Sequence, residues 1–212
     1  VQRCTGNSVA DIVGSFIALV YLTAFIGGVI ADRYLGYIKS IFLGGSLMAA
    51  GYLGLSLPGD TAMFISLSLI IIGNGFFKPN ISTLLGNIYN REDLKPLKDN
   101  AYNIFYMGIN IGAFVCNFVA AWLRNAYGWG YAFGAAGVGL IIGMVILAGF
   151  VNDEDIKKAN VKKPIQAEDM PLSSIFMTVF LPAIIAAVIG WILPTEIFGA
   201  PIMGTQANDA FI

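Results

Sequence analysis

Six apolar runs, each near the length of a bilayer crossing, decide what this chain can fold into. They fall at roughly 9–31, 40–57, 62–88, 101–123, 130–150 and 174–193. A helix needs about 20 apolar residues to cross the hydrocarbon layer. The second run is short, and the third is long and interrupted by Lys78-Pro79. Strands are excluded, because the runs do not alternate and an open sheet edge cannot be satisfied in lipid. Composition agrees: 57% of the residues are hydrophobic and 12% charged, against about a quarter charged in a soluble domain. So few charges cannot cover a water-facing surface. The expected fold is all-α and integral to a membrane.

The connections between runs alternate in charge. Arg33, Lys39, Arg91, Lys95, Lys98, Lys157, Lys158, Lys162 and Lys163 fall on one side, and only Arg3 and Arg124 on the other. By the positive-inside rule the richer side is cytoplasmic, and the first span runs from outside to inside. A helix upstream is then expected, as is a longer protein around this chain. Residues 1–150 read as most of a transmembrane bundle and 151–173 as a polar cytoplasmic linker. Residues 174–212 read as a further span and the start of the next. The expected location is a cell (inner) membrane, crossed several times.

Several function classes find no support. Histidine is absent, and the two cysteines, Cys4 and Cys116, have no disulfide or metal-ligand spacing. Catalytic residues, a metal and an enzymatic role are therefore not expected. No feature points to a nucleic acid, so the surrounding partner is lipid. Glycine pairs four apart, Gly108/Gly112 and Gly139/Gly143, suit close helix packing.

Lys78 is the most informative residue. It lies ten residues from the cytoplasmic end of its span, hence about 15 Å deep at 1.5 Å per residue. A lysine at the centre of a bilayer costs about 2.5–3.5 kcal/mol on insertion scales, and snorkelling relieves that cost only near helix ends. Lys78 should therefore face a polar cavity and meet an anion. Asn74 and Ser82, four residues to either side, share its helix face. Pro79 cannot donate to the Gly75 carbonyl, so a kink is expected there. On the fourth run Asn103, Asn110 and Asn117 recur every seven residues, with Tyr102 and Tyr106 nearby. Asn110 is near mid-span and is the best of these for a ligand, whereas Asn103 and Asn117 suit a neighbouring helix equally. Tyr21 is central on the first run, and suits a buried core role as well as a ligand contact. The stretch Gly27-Gly28-Val29-Ile30-Ala31-Asp32-Arg33-Tyr34-Leu35-Gly36 reads as a tight cytoplasmic loop. In it Gly28 permits close approach, and Asp32 and Arg33 form a conformational latch.

Three of these pieces resemble the proton-coupled oligopeptide transporter family (POT, also called PTR) of the major facilitator superfamily. The loop from Gly27 to Gly36 is similar to the superfamily's Asp-Arg loop between helices 2 and 3. Gly73-Asn74-Gly75-Phe76-Phe77-Lys78-Pro79-Asn80-Ile81-Ser82 is similar to the family signature on helix 4. Phe105-Tyr106-Met107-Gly108-Ile109-Asn110-Ile111-Gly112-Ala113 is similar to that on helix 5. The first piece is shared with many facilitators, while the other two together are specific. The resemblance spans residues 9–150 as helices 2–6 and implies the major facilitator fold, with symport of di- or tripeptides by alternating access. It implies that Lys78 takes the peptide's terminal carboxylate, that Asn110 holds its backbone and that Tyr21 belongs to the pocket. Asn74 lines the same wall, while Asp32 and Arg33 serve the cytoplasmic gate with Gly28 and Pro79. No cofactor is implied beyond a coupling proton, whose carboxylates belong to a helix 1 expected upstream. The last span looks like the first of two helices that bacterial members insert between their halves, so Trp191 is not taken as a pocket residue. A carrier of another anion, such as nitrate or a carboxylate, and a non-transporting receptor or channel stay open as alternatives.

Overall fold

The computed structural model describes residues 6–160, together with 171, 174, 176–182, 185, 196–197 and 200–201. Five long helices carry the architecture: α1 (Gly6–Ile30), α2 (Tyr37–Gly54), α3 (Asp60–Ile88), α4 (Lys98–Tyr127) and α5 (Trp129–Phe150). A short helix α6 (Glu154–Ala159) follows. Residues 11–164 form one compact unit; residues 1–10 and 165–212 belong to another. The described part of the second includes the start of α1 (residues 6–10), a π-helical turn, Phe176–Phe180, and a two-residue antiparallel pair, β1 (Glu196–Ile197) with β2 (Ala200–Pro201). The expected span at 174–193 lies largely outside the described residues, as does Cys4.

Among the described residues, four stretches are long and apolar enough to cross a membrane: Phe16–Leu35, Asp60–Ile88, Lys95–Tyr127 and Trp129–Phe150. The helix α2 is not among them, and its packing explains why. It sits between α3 and α5, so less of its surface meets lipid. Gly44 of α2 and Gly73 of α3 cross reciprocally: a Cβ on Gly44 would lie 2.5 Å from the Gly73 carbonyl oxygen, and one on Gly73 would lie 2.6 Å from that of Gly44. Only backbones without side chains approach so closely. On its other side α2 meets Met144 and, through Leu53, Gly137 of α5.

The ends differ slightly from the sequence reading, for local reasons. Pro58 and Gly59 (φ 121°) make the turn before α3, so α2 ends at Gly54. The expected loop from Gly27 to Gly36 is helical almost throughout. It stays α-helical to Ile30 and then widens into one π-helical turn, Ala31–Leu35. The Gly36 amide closes that turn on the Ala31 carbonyl at 2.8 Å. Gly36 itself, at φ 80°, is the only residue that leaves the helix.

The glycine pairs expected to pack do not do so here. Gly108, Gly112, Gly139 and Gly143 have nothing within 4 Å of where a Cβ would stand. No residue of α4 is buried, and its large apolar side chains, Phe114 and Phe118 among them, are exposed. Between α2, α4 and α5 lies an apolar cleft of about 650 Å³, with Tyr52, Cys116 and Leu140 in its wall.

Among the described residues, the basic ones other than Lys78 and Arg124 gather at one end. There Ala31, Tyr37, Ile38, Ile41, Leu84 and Ala159 make a buried apolar cluster, with Ile156 and Val151 against it. The polar stretch after Val151 therefore begins docked on the bundle. Asn160 Oδ1 accepts from the Ile38 amide at 2.9 Å, capping the first turn of α2 from 122 positions away. Asn87 Nδ2 donates to the Ala159 carbonyl at 3.3 Å. Arg91 holds Asp93 in a two-pronged pair (3.1 and 2.7 Å) and also bridges to Asp155 of α6.

Candidate substrate-binding wall and gate

The seam between α1 and α3 organises the site. Pro79 has no amide hydrogen, which leaves the Gly75 carbonyl without its helical donor. That carbonyl lies against Gly27 of α1, where a Cβ would overlap it. Around this crossing, Gly28 touches the Pro79 ring, its missing Cβ 4.0 Å from Pro79 Cβ. One turn farther along, Thr23 Oγ1 donates across the seam to the Ile71 carbonyl at 3.0 Å. The buried Asn80 sends Nδ2 to the Phe76 carbonyl at 2.7 Å and across to the Gly27 carbonyl at 3.4 Å. The helix α3 runs through Pro79 to Ile88, with Gly27 of α1 and its own Asn80 amide filling the crossing.

This seam brings two of the expected pocket residues together. The Lys78 ammonium sits 5.8 Å from the centroid of the Tyr21 ring, within cation–π range. Both side chains are exposed, Tyr21 to 69%. Tyr21 is therefore no core tyrosine of this unit, which was the alternative weighed for it. A lysine that deep and that open cannot face lipid, so this side of the seam must face a polar space. Asn74, one turn earlier, points an amide Nδ2 that is buried and has no hydrogen-bond partner among the described residues. Ser82, one turn later, donates 3.4 Å to the Lys78 carbonyl, while its own carbonyl accepts from Tyr102 of α4 at 3.0 Å.

Among the described residues no hydrogen bond links Asn110 to Lys78, Tyr21 or Asn74. The helix α4 meets α3 near Tyr102, whose ring stands over Gly86, and Asn110 lies two turns beyond. No side-chain hydrogen bond ties Asn103, Asn110 or Asn117 to another described residue, and all three are exposed. At the basic end, Asp32 stands beside the hydroxyl of the buried Tyr37, which Asn87 also approaches. Asp32 and the half-buried Arg33 occupy the π-helical turn, a geometry frequent at functional sites. In the adjoining loop, the Arg91 guanidinium holds the Asp93 carboxyl below its ordinary value of 3.8, and the two carboxylates beside Arg91 raise it in turn.

The sequence profile of the POT family matches residues 38–167, more than half of the chain. The chain belongs to the POT family. Among relatives of this POT chain is peptide transporter YePEPT of Yersinia enterocolitica, 37% identical over 66% of the chain and 27% of that protein. Dipeptide and tripeptide permease A of an Enterobacter species is 33% identical over 95% of the chain and 40% of the permease. A crystal structure of a mutant of the peptide transporter POT with alafosfalin superposes at a TM-score of 0.70 and 32% identity. That match covers 87% of the chain and 38% of that structure. The POT chain thus spans well under half the length of the relatives it matches. It is an all-α, multi-pass membrane protein with the major facilitator fold, here as part of one helix bundle.

Two residues with evident roles escaped the sequence reading as site residues. Asn80 stood inside the helix 4 signature, and its signal was an amide directly after a mid-span proline. Asn160 gave no signal, because its partner is 122 residues away.

Proposed function

We propose that the protein to which this chain belongs moves di- or tripeptides inward across the cytoplasmic (inner) membrane, coupled to protons, by alternating access. It is a carrier and not an enzyme, and needs no cofactor beyond the coupling proton. The exposed mid-span ammonium of Lys78 beside the Tyr21 ring carries this reading. A peptide's terminal carboxylate is the anion that such a group would hold. Asn74, four residues before Lys78 on the same helix face, would line the same wall. Asn110, two turns along α4, would reach the peptide backbone from the other wall. Asp32, Arg33, Gly28 and Pro79 would serve the cytoplasmic gate. In such folds the site lies near the midplane between two halves that rock around it, and this unit supplies one wall.

The test uses the full-length protein in proteoliposomes, following labelled dialanine uptake with and without an inward proton gradient. Gradient-driven uptake that Lys78→Ala abolishes is the expected result. Absence of uptake by folded wild type would redirect the assignment to another anion. Uptake indifferent to Lys78→Ala would place the carboxylate site elsewhere.

A further inference from the structure

Asn80 is buried, with 1% of its surface exposed, and carries no part of the proposed chemistry, yet its amide is spent on two carbonyls of different helices. One bond stays within α3, to Phe76; the other crosses to Gly27 of α1. The crossing point is where Pro79 has removed the helix's own hydrogen bond, and where the bare backbones of Gly27 and Gly75 touch. Tyr21 lies on α1 and Lys78 on α3, so their approach depends on how these two helices are set along the seam. An exposed cation and an exposed ring hold each other only weakly. Something more rigid must fix the register. Thr23 bridges on one side of the crossing and Asn80 on the other.

We propose that Asn80 is a positioning residue for the anion-binding lysine: its buried amide clamps α1 to α3 at the proline and thereby seats Tyr21 against the Lys78 ammonium. A serine at 80 separates the two bonds, because its hydroxyl still reaches the Phe76 carbonyl one turn back but is too short to reach Gly27. The inference rests on the reading of Lys78 as the carboxylate-binding group, so two readouts are needed, one of which is independent of transport.

In full-length protein, amine acetylation followed by mass spectrometry reports the accessibility of Lys78 relative to the exposed Lys39. Asn80→Ser should raise the Lys78 rate by the same factor as Tyr21→Leu, and the double variant should add nothing further. An unchanged rate in Asn80→Ser overturns the proposal, whatever the transport result. In proteoliposomes, Asn80→Ser should raise KM for dialanine a few-fold at unchanged kcat, as Tyr21→Leu does, while uptake of alanyl-alanine amide, which has no terminal carboxylate, stays as in wild type. A fall in kcat alone, equal for both peptides, would make Asn80 a merely structural residue and also overturn the proposal. If wild type moves neither peptide, the transport reading fails while the acetylation result still decides the role of Asn80. Asn80→Ala gives the same test if the serine variant does not fold.

Discussion

At residue scale the open question for any cation inside a membrane is what compensates it. Among the described residues the Lys78 ammonium has only the face of Tyr21, a contact too weak to repay its insertion cost and therefore one that leaves the ammonium available. Replacing Tyr21 with Leu should weaken dialanine affinity a few-fold, in line with an exposed cation–π contact, and a competition binding curve would measure it. The loop residues behave differently. Because Arg91 lowers the Asp93 pKa, the pair's contribution is fully present above 3.8 and is lost only as pH falls through the lower folded value. Hydrogen exchange of the 89–97 amides should therefore be constant between pH 5 and 8, apart from the intrinsic rate, so this pair cannot be the proton sensor. Lys78, Asn74 and Tyr21 were legible in the sequence because each departs from an apolar background. The neighbours of Asn103, Asn110 and Asn117 were not, since heptad spacing gives a face but not the residue it meets.

At element scale the helices were readable from length and hydropathy, but their contacts were not. Four glycines on α4 and α5 carried the expected small-residue spacing and touch nothing, whereas Gly44, Gly73, Gly27 and Gly75 do the close packing. Spacing four apart is a permission, and which helix accepts it depends on the third dimension. Gly44→Val should lower the thermal stability of the purified protein by about 1–3 kcal/mol, as overpacking does, because its branches would drive into the Gly73 carbonyl and the α3 backbone. The π-helical turn was also missed: nothing in Ala31–Leu35 breaks a helix before Gly36, and the loop reading came from glycines upstream that pack instead of bending. Docking of α6 rests on Asn160, Asn87 and the buried Ala159 more than on the exposed Arg91–Asp155 pair. Asn160→Ala should cost about 1 kcal/mol, as loss of a helix cap does. It should also speed proteolysis within 154–160 more than Asp155→Ala does.

At the scale of the whole molecule, the ends sort by charge as the sequence arithmetic required. Arg33, Lys39, Arg91, Lys95, Lys98, Lys157 and Lys158 share the end that holds the Ala31–Ala159 cluster, while Arg124 stacks 5.1 Å from Trp129 at the other. Single cysteines introduced at 93 and at 125 should react with an impermeant maleimide from opposite sides of the membrane, the first only in inverted vesicles. The reverse labelling would invert the topology. The cap from Asn160 to Ile38 has a further meaning in time. Synthesis proceeds from the amino terminus, so α2 enters the bilayer with its first turn open, and its cap arrives only after three more long helices have been made. The basic end of this bundle is thus completed last, and a ribosome paused near residue 150 would hold a unit whose five long helices have been made but whose basic end is not yet closed by α6 and Asn160.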